Sequence, residues 1–380
     1  MQKPVLDSKN RIIYGALDVD DKHFNFSSYD VCTNEQIHLK CLANISKLIQ
    51  KLKQYFKDLS QLKICYESTY LGFSLHRELN SKGIVCEVIA SGKIPKLSQD
   101  RIKTDRLDAL KLAKYYAKGL LTVIYAPTIE DENVREILRS RRLLITQSKK
   151  LKSHIINLCK RNRLDYKKEK NSLTVSYWTE PHKKWLQVKM NLLQKGSPLK
   201  FNLLSLNNLL TSQEIQIQQY NDEIKNISLT KKYNAPCRAL ECFRGIDTLT
   251  AMILASEIGD IKRFVHPRNL MSYAGFSIAE YSSGGKEKRF QITKIGNPYI
   301  RTAVVESCQF SFKPPQISRR LADRRLSGDS SYFYIADNCM NRLHKKSIRL
   351  LFNNKPKNKI KVACAREMLG FIWDVMHKVA

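Results

Sequence analysis

The pattern of apolar and polar positions changes character twice along the chain. Residues 11–18 (RIIYGALD) make an apolar strand ending in an acid, and 23–31 and 34–40 follow at hairpin spacing with partial alternation, which predicts three antiparallel strands. Leu42, Ile45, Leu48, Ile49 and Leu52 recur at helical spacing and predict a helix over 42–56. Residues 62–68 (LKICYES) form a second apolar strand, again with an acid near its end. Residues 71–80 read as helix, 83–90 as strand and 102–118 as helix stopped by Gly119. Strands first, then strand and helix in alternation, describes a mixed sheet with helices on its faces.

From Glu130 the period becomes that of a heptad. Val134, Ile137, Leu144, Leu151, Ile155 and Leu158 share one seam, interrupted by Arg141 and Ser148. Leu203, Leu206, Leu210, Ile217, Tyr220, Ile224 and Ile227 share another, with Gln213 its polar member. Two long helices joined by 163–202 read as an antiparallel coiled-coil hairpin, a dimer zipper or the core of a bundle. The joining insertion sets Tyr166, Tyr177, Trp178 and Trp185 among lysines: a platform for unpaired bases, or a small core under a solvated face. From 236 onward the chain reads as mainly helical. LECFRGIDTLTAMILASEIGDIKRF resembles a helix-hairpin-helix, with Asp247 where the usual second glycine would stand. A last amphipathic helix, 362–379, carries Trp373. The fold class is therefore α/β plus all-α: a sheet domain at 1–125, a coiled-coil oligomerisation segment at 126–235 and a helical domain at 236–380.

Charge narrows the partners. Lys and Arg number 66 against 35 acids, a net +31 spread through all three regions. An excess of that size favours a polyanion, and nucleic acid fits best. No apolar run approaches the length of a membrane span, and MQKPVLDSKN has no signal-peptide h-region, so no membrane partner is expected. The ten cysteines stand singly, without a CxxC, and predict reduced thiols in a cytoplasmic, nucleoid-associated protein.

Two constellations carry candidate chemistry. The stretch 279–301, AEYSSGGKEKRFQITKIGNPYIR, combines hydroxyls, a Gly-Gly and five cations, Lys286, Lys288, Arg289, Lys294 and Arg301, with a turn at Gly296, Asn297 and Pro298. That suits a phosphodiester; a basic surface loop is the plain alternative. Upstream, Asp18 and Glu67 lie in predicted strands. Asp105 and Asp108 stand three apart on one helix, with Cβ atoms roughly 5–6 Å apart. The helix's apolar positions Leu107, Leu110, Leu112 and Ala113 would leave that pair at the edge of its packed face. Each acid alone reads as an ordinary surface carboxylate or cap. Together they suit two Mg2+ ions about 3.5–4 Å apart, the arrangement that clamps the attacking and leaving oxygens of a phosphodiester.

These residues resemble the DEDD-type transposases of the insertion-sequence-110 group, bridge-RNA-guided recombinases, over nearly the whole length. The resemblance rests on ALDVDDKHFNF, CYEST and KTDRLDALKLA, then RGIDTLTAMILASEIGDIKRF, LMSYAGFSIAEYSSGGKEKRFQITKIGNPYIR and KVACAREMLGFIW. It implies a ribonuclease-H-like (Holliday-junction-resolvase-like) first domain with Asp18, Glu67, Asp105 and Asp108 as Mg2+ ligands. It also implies Ser283, the serine next to the glycine, as covalent nucleophile. Lys103, Arg106, Lys286, Lys288, Arg289, Lys294, Asn297 and Arg301 are candidate nucleic-acid contacts. The implied partners are donor and target DNA, a structured guide RNA and further copies of the chain, as dimer and then tetramer. Three departures from the family pattern stand out: Asp247 in Gly-Ile-Asp, Ala16-Leu17 before the first acid, and FSIAE without a proline. Alternative readings are a metal-dependent junction resolvase or nuclease using water, and a non-catalytic nucleic-acid-binding protein.

Overall fold

A computed structural model describes residues 11–95, 104–172, 174–283, 286–326 and 328–380, the side chains of 281–289 excepted. By their internal contacts they form two compact units, Met1–Pro127 and Thr128–Ala380.

The first unit opens as an antiparallel meander of β1 (Ile13–Val19), β2 (His23–Tyr29) and β3 (Gln36–Leu42). Helix α1 (Ile45–Leu52) then leads to β4 (Leu62–Glu67), and α2 (Ser74–Ser81) leads to β5 (Val85–Ile89). Helix α3 (Asp105–Ala117) and a short β6 (Val123–Ile124) follow. The sheet runs β3-β2-β1-β4-β5-β6, with β1, β4 and β5 parallel and β6 antiparallel to β5. The expected mixed sheet is therefore present. The first helix starts later than its periodicity suggested. Leu42 closes β3, because the Asn44 side chain accepts from the Lys47 N–H and caps the helix there.

Strand alternation divides the sheet into two faces. Leu17, Phe26, Ile64, Tyr66 and Val88 face Leu48, Leu52, Phe56 and Leu79, a core that includes α1 and α2. On the other face Ala16, Cys65 and Ile89 pack against Leu112 and Ala113 of α3. Gly15 lets the ring of Phe26 lie directly on β1, since a Cβ there would come within 2.4 Å of it.

In the second unit α4 (Ile129–Arg161) packs along α7 (Pro198–Ser228). The polar interruptions of the two seams meet each other. Ser148 Oγ donates to Gln213 Oε1 at 2.9 Å, and Arg141 Nε donates to Asn221 Oδ1 at 2.5 Å. Numbers rise on one helix as they fall on the other, so the pair is an antiparallel hairpin within one chain. At its tip α5 (Tyr166–Glu169) and α6 (Glu180–Leu192) close a small core, which takes in Trp178 and Trp185 beside Ile155, Leu186 and Leu203.

The base of the pair joins the largest core. Val134, Leu138 and Ile224 pack with α8 (Lys231–Glu241), α9 (Thr248–Ile258), α10 (Pro267–Tyr273) and α11 (Pro298–Ser307), and with α13 (Phe333–Phe352) and α14 (Lys357–Val379). The hairpin β7 (Ile278–Ser283) and β8 (Lys286–Ile292) rises between α10 and α11, and α12 (Arg319–Arg325) precedes α13. Trp373 docks α14 by donating its indole N–H to the Phe264 carbonyl at 2.6 Å. All ten cysteines are free thiols, Cys32 alone among them exposed. No helix of the described residues is long and apolar enough to cross a membrane.

Gly15→Ala is expected to destabilise the first unit by about 1–3 kcal/mol, because the added methyl must displace a fully buried ring. Urea unfolding of the variant, read as a lowered midpoint at unchanged slope, checks this.

Candidate functional site

The acidic positions of the first unit are fixed by backbone register. Asp18 follows Ala16 on the face that α3 covers, and Glu67 follows Cys65 on the same face of the parallel neighbour, where Ala16 and Cys65 are register partners. Both acids stand toward the carboxyl ends of their strands, where open α/β sheets commonly bind ligands. Across β1, Asn25 is the partner of Asp18, and its Nδ2 donates to Asp105 Oδ2 at 3.4 Å.

Helix α3 starts here because Thr104 accepts from the Leu107 N–H at 3.3 Å. Its first turn holds both Asp105 and Asp108, where the helix dipole favours negative charge. The packed face is Ala109, Leu112 and Ala113. Leu107, expected among the apolar positions, is 46% exposed, because it lies off the face formed by Ala109, Leu112 and Ala113.

Sequence reasoning missed three neighbours. Asn25 and Ser27 lie opposite Phe24 and Phe26 in the alternation of β2, which was the available signal. The Ser27 hydroxyl donates to the Arg106 carbonyl at 3.3 Å and lies 2.8 Å from Nδ1 of His38. Burial, helped by Arg106 and Lys114, pushes the His38 pKa below its ordinary value and keeps the ring neutral at pH 7. Among the described residues no three His, Cys, Asp or Glu side chains are gathered closely enough to hold a metal ion. Asp18 and Glu67 share the sheet face that α3 covers, and Asp105 meets Asn25 there; Glu67 and Asp105 are exposed and Asp18 and Asp108 half-buried.

In the second unit the serines close β7. Ser283 pairs with Lys286, Ser282 with Glu287 and Tyr281 with Lys288. The side chains of Ser282, Ser283, Lys286, Lys288 and Arg289 lie outside the described residues, as does Lys103 altogether.

The base of this hairpin is tightly tied. Thr293 N–H donates to the Ser277 carbonyl at 2.8 Å, and Asn297 N–H to the Tyr273 carbonyl at 2.7 Å. Gly296, at φ 147, crosses so close that a Cβ would sit 2.3 Å from the Tyr273 oxygen. The predicted turn is therefore present, and Pro298 opens α11. Asn297 Oδ1 caps that helix by accepting from the Tyr299 and Ile300 N–H groups. Its Nδ2 donates to Glu257 Oε2 at 2.8 Å. Arg301 donates to the Ala274 carbonyl at 2.9 Å, while Lys294 is exposed at the hairpin base. Asn297 and Arg301, expected at phosphates, are thus engaged within the chain.

Glu257 is the centre of this arrangement and was not singled out by the sequence. It is 2% exposed, ion-paired to Arg139 at 3.1 Å and to Arg135 at 3.8 Å, the latter also donating to the Ser256 carbonyl. The signal was there: one acid in the apolar run TLTAMILASEI, and two arginines one turn apart on α4. Asp247, which replaces a glycine, caps α9 by accepting from the Thr250 N–H at 2.9 Å. Two basic residues beyond 319 also turn inward. Arg325 donates to the Cys242 carbonyl and to Asp337, and Lys346 pairs with Glu367.

Residues 237–320, which run from α8 through the hairpin and α11 to the start of α12, match the family described as Transposase IS116/IS110/IS902. A candidate transposase of Sinorhizobium fredii, y4qE, is 30% identical over 325 residues, covering 85% of this chain and 77% of its own. The chain belongs to this transposase family. The transposase for insertion sequence element IS1533 of Leptospira borgpetersenii is 29% identical, over 92% of this chain and 98% of that one. That for IS1111A of Coxiella burnetii is 25% identical over 68% and 69%. The present transposase accordingly acts in DNA transposition, and its family segment contains both Glu257 and the serine hairpin.

Glu257→Gln in this transposase is expected to cost about 3–5 kcal/mol, because buried Arg135 then loses its counter-charge. Asn297→Ala, which loses a cap and one bond to Glu257, should cost about 1 kcal/mol, and urea unfolding orders the two. The His38 shift predicts a pH effect. A lowered folded pKa leaves stability full above the unfolded value of 6.5 and loses it as pH falls through the folded pKa. Between those values His38→Gln should show a flatter dependence of unfolding midpoint on pH than the parent chain.

Proposed function

We propose that this transposase cuts and rejoins DNA with a Mg2+-binding quartet, Asp18, Glu67, Asp105 and Asp108, and with Ser283 as covalent nucleophile. The observation that carries the reading is the common face: Asp18 and Glu67 on neighbouring parallel strands, and Asp105 hydrogen-bonded to the register partner of Asp18. Neighbouring placement of β1 and β4, in a sheet whose first three strands are antiparallel, also supports a ribonuclease-H-like assignment for the first unit.

The donor chemistry suits Mg2+, a hard cation that takes carboxylate oxygens. Asp18, Glu67, Asp105 and Asp108 would hold it, and their mutual repulsion favours a shared cation. When bound, the ion supplies neutralisation of charge growing on a scissile phosphate. The chain's own contribution is positional. Asn25 orients Asp105, the Thr104 cap fixes the start of α3, and neutral His38 adds no competing charge. In the second unit the clamped base gives the Ser283 strand a defined direction. A serine ester to a DNA end would conserve the energy of the broken phosphodiester, which rejoining needs and hydrolysis discards. An element-encoded structured RNA pairing with donor and target, and assembly into dimers and tetramers, complete the proposal.

Two measurements test it. Mg2+ is expected to raise the thermal midpoint of the parent, by a free energy of about 2.7 kcal/mol at a hundredfold excess over Kd, and not that of Asp105→Asn/Asp108→Asn. Ser283→Ala should leave DNA binding intact and lower strand transfer by a factor on the order of 10³ or more, with loss of any denaturant-resistant protein–DNA adduct. Ser282→Ala is the comparison. Full transfer by both serine variants would favour metal-activated water and a resolvase-like reaction; a dead Ser282 variant beside an active Ser283 variant would move the nucleophile by one residue.

A further inference from the structure

The tip of the α4–α7 hairpin carries a cleft of about 490 Å3 that the transposition chemistry leaves unused. Lys160 from the last turn of α4, Asp165 at the N-cap of α5, Lys167 and Lys168 from α5, and Asn171, Ser172 and Tyr177 line it. The ammonium groups of Lys160 and Lys167 lie 5.8 and 5.3 Å from the centre of the Tyr177 ring. Their charges are therefore held against a fixed surface. The surface is fixed because Tyr177 packs beside Tyr166 and His182, part of the small aromatic core under the tip.

The cleft is lined by three lysines and one acid, and the acids of the tip make bonds of their own. Asp165 Oδ1 accepts from the backbone N–H groups of Lys167 and Lys168 at 3.1 and 3.4 Å. Glu169 accepts from the Trp185 indole at 2.9 Å and pairs with Lys189 at 2.9 Å. Among the described residues the buried hydroxyl of Tyr177 has no hydrogen-bond partner. Lysine head groups, a serine hydroxyl and an amide around one concavity match the acceptors of a phosphodiester. The lysines cover the ring that a base would need for stacking, so the chemistry selects backbone over base.

We propose that this cleft binds the phosphodiester backbone of nucleic acid, as a contact remote from the serine hairpin. The proposal deepens the reading of the chain as a nucleic-acid enzyme and rests on it. With 33 residues, α4 spans about 50 Å from the base of the pair to its tip. That reach corresponds to about 15 base pairs of duplex.

The test compares the full chain with Lys160→Gln/Lys167→Gln/Lys168→Gln and with the corresponding triple arginine variant. Each is titrated with salt while binding a duplex DNA longer than the arm and, separately, a structured RNA. Each lost phosphate contact should reduce the steepness of log Kd against log salt by about 0.9 on duplex DNA, so the glutamine triple should lose about 2–3. The arginine triple should keep the parent slope. A loss confined to duplex assigns the cleft to DNA, and a loss confined to RNA assigns it to RNA. An unchanged slope in the glutamine triple on both probes overturns the proposal, as does an arginine triple as defective as the glutamine one. A parent whose affinity ignores salt would sink the nucleic-acid reading itself, which separates the two failures.

Discussion

The second unit depends on one buried carboxylate. A charge inside an apolar helix face persists only when fully paired, and Glu257 is paired from three sides. Arg135 and Arg139 bring the first turns of α4 to it, and Asn297 brings the cap of α11. A two-stranded ribbon has little stability of its own, so β7 and β8 take their direction from this base. The glycines at 275 and 296 let the crossing strands approach closely enough for the ties to form.

The acidic face of the first unit is organised by different physics. There the constraint is alternation: each strand commits one face to the α1–α2 core and so delivers its other residues to α3. Of the acids on this side, Glu67 and Asp105 are exposed and Asp18 and Asp108 half-buried.

The long helix pair adds specificity. Ser148 with Gln213 and Arg141 with Asn221 are polar positions in an apolar seam, and each interruption on one helix is answered on the other. A slip of one turn would leave these groups buried without partners, so the register is chosen by the cost of failure more than by attraction. A fixed register in turn fixes where the basic tip stands relative to the serine hairpin's base.

The order of strands and helices over 11–118, the two long heptad helices, the turn at Gly296 to Pro298 and the nucleic-acid charge were legible in the sequence, because each rests on local periodicity, turn chemistry or a sum of charges; the β7–β8 hairpin was not. The candidate acids were legible as residue types, and Asp18 and Glu67 as strand-end positions. The sequence did not determine that Asn25 would meet Asp105, that Leu107 would be exposed, or that Ser148 would answer Gln213. Nor could it reveal that Asn297 would bond Glu257 and that Arg301 would donate to the Ala274 carbonyl. Those outcomes are pairings between residues far apart in the chain, decided by packing geometry. Periodicity tells which face a residue occupies; only the tertiary structure decides what stands opposite it.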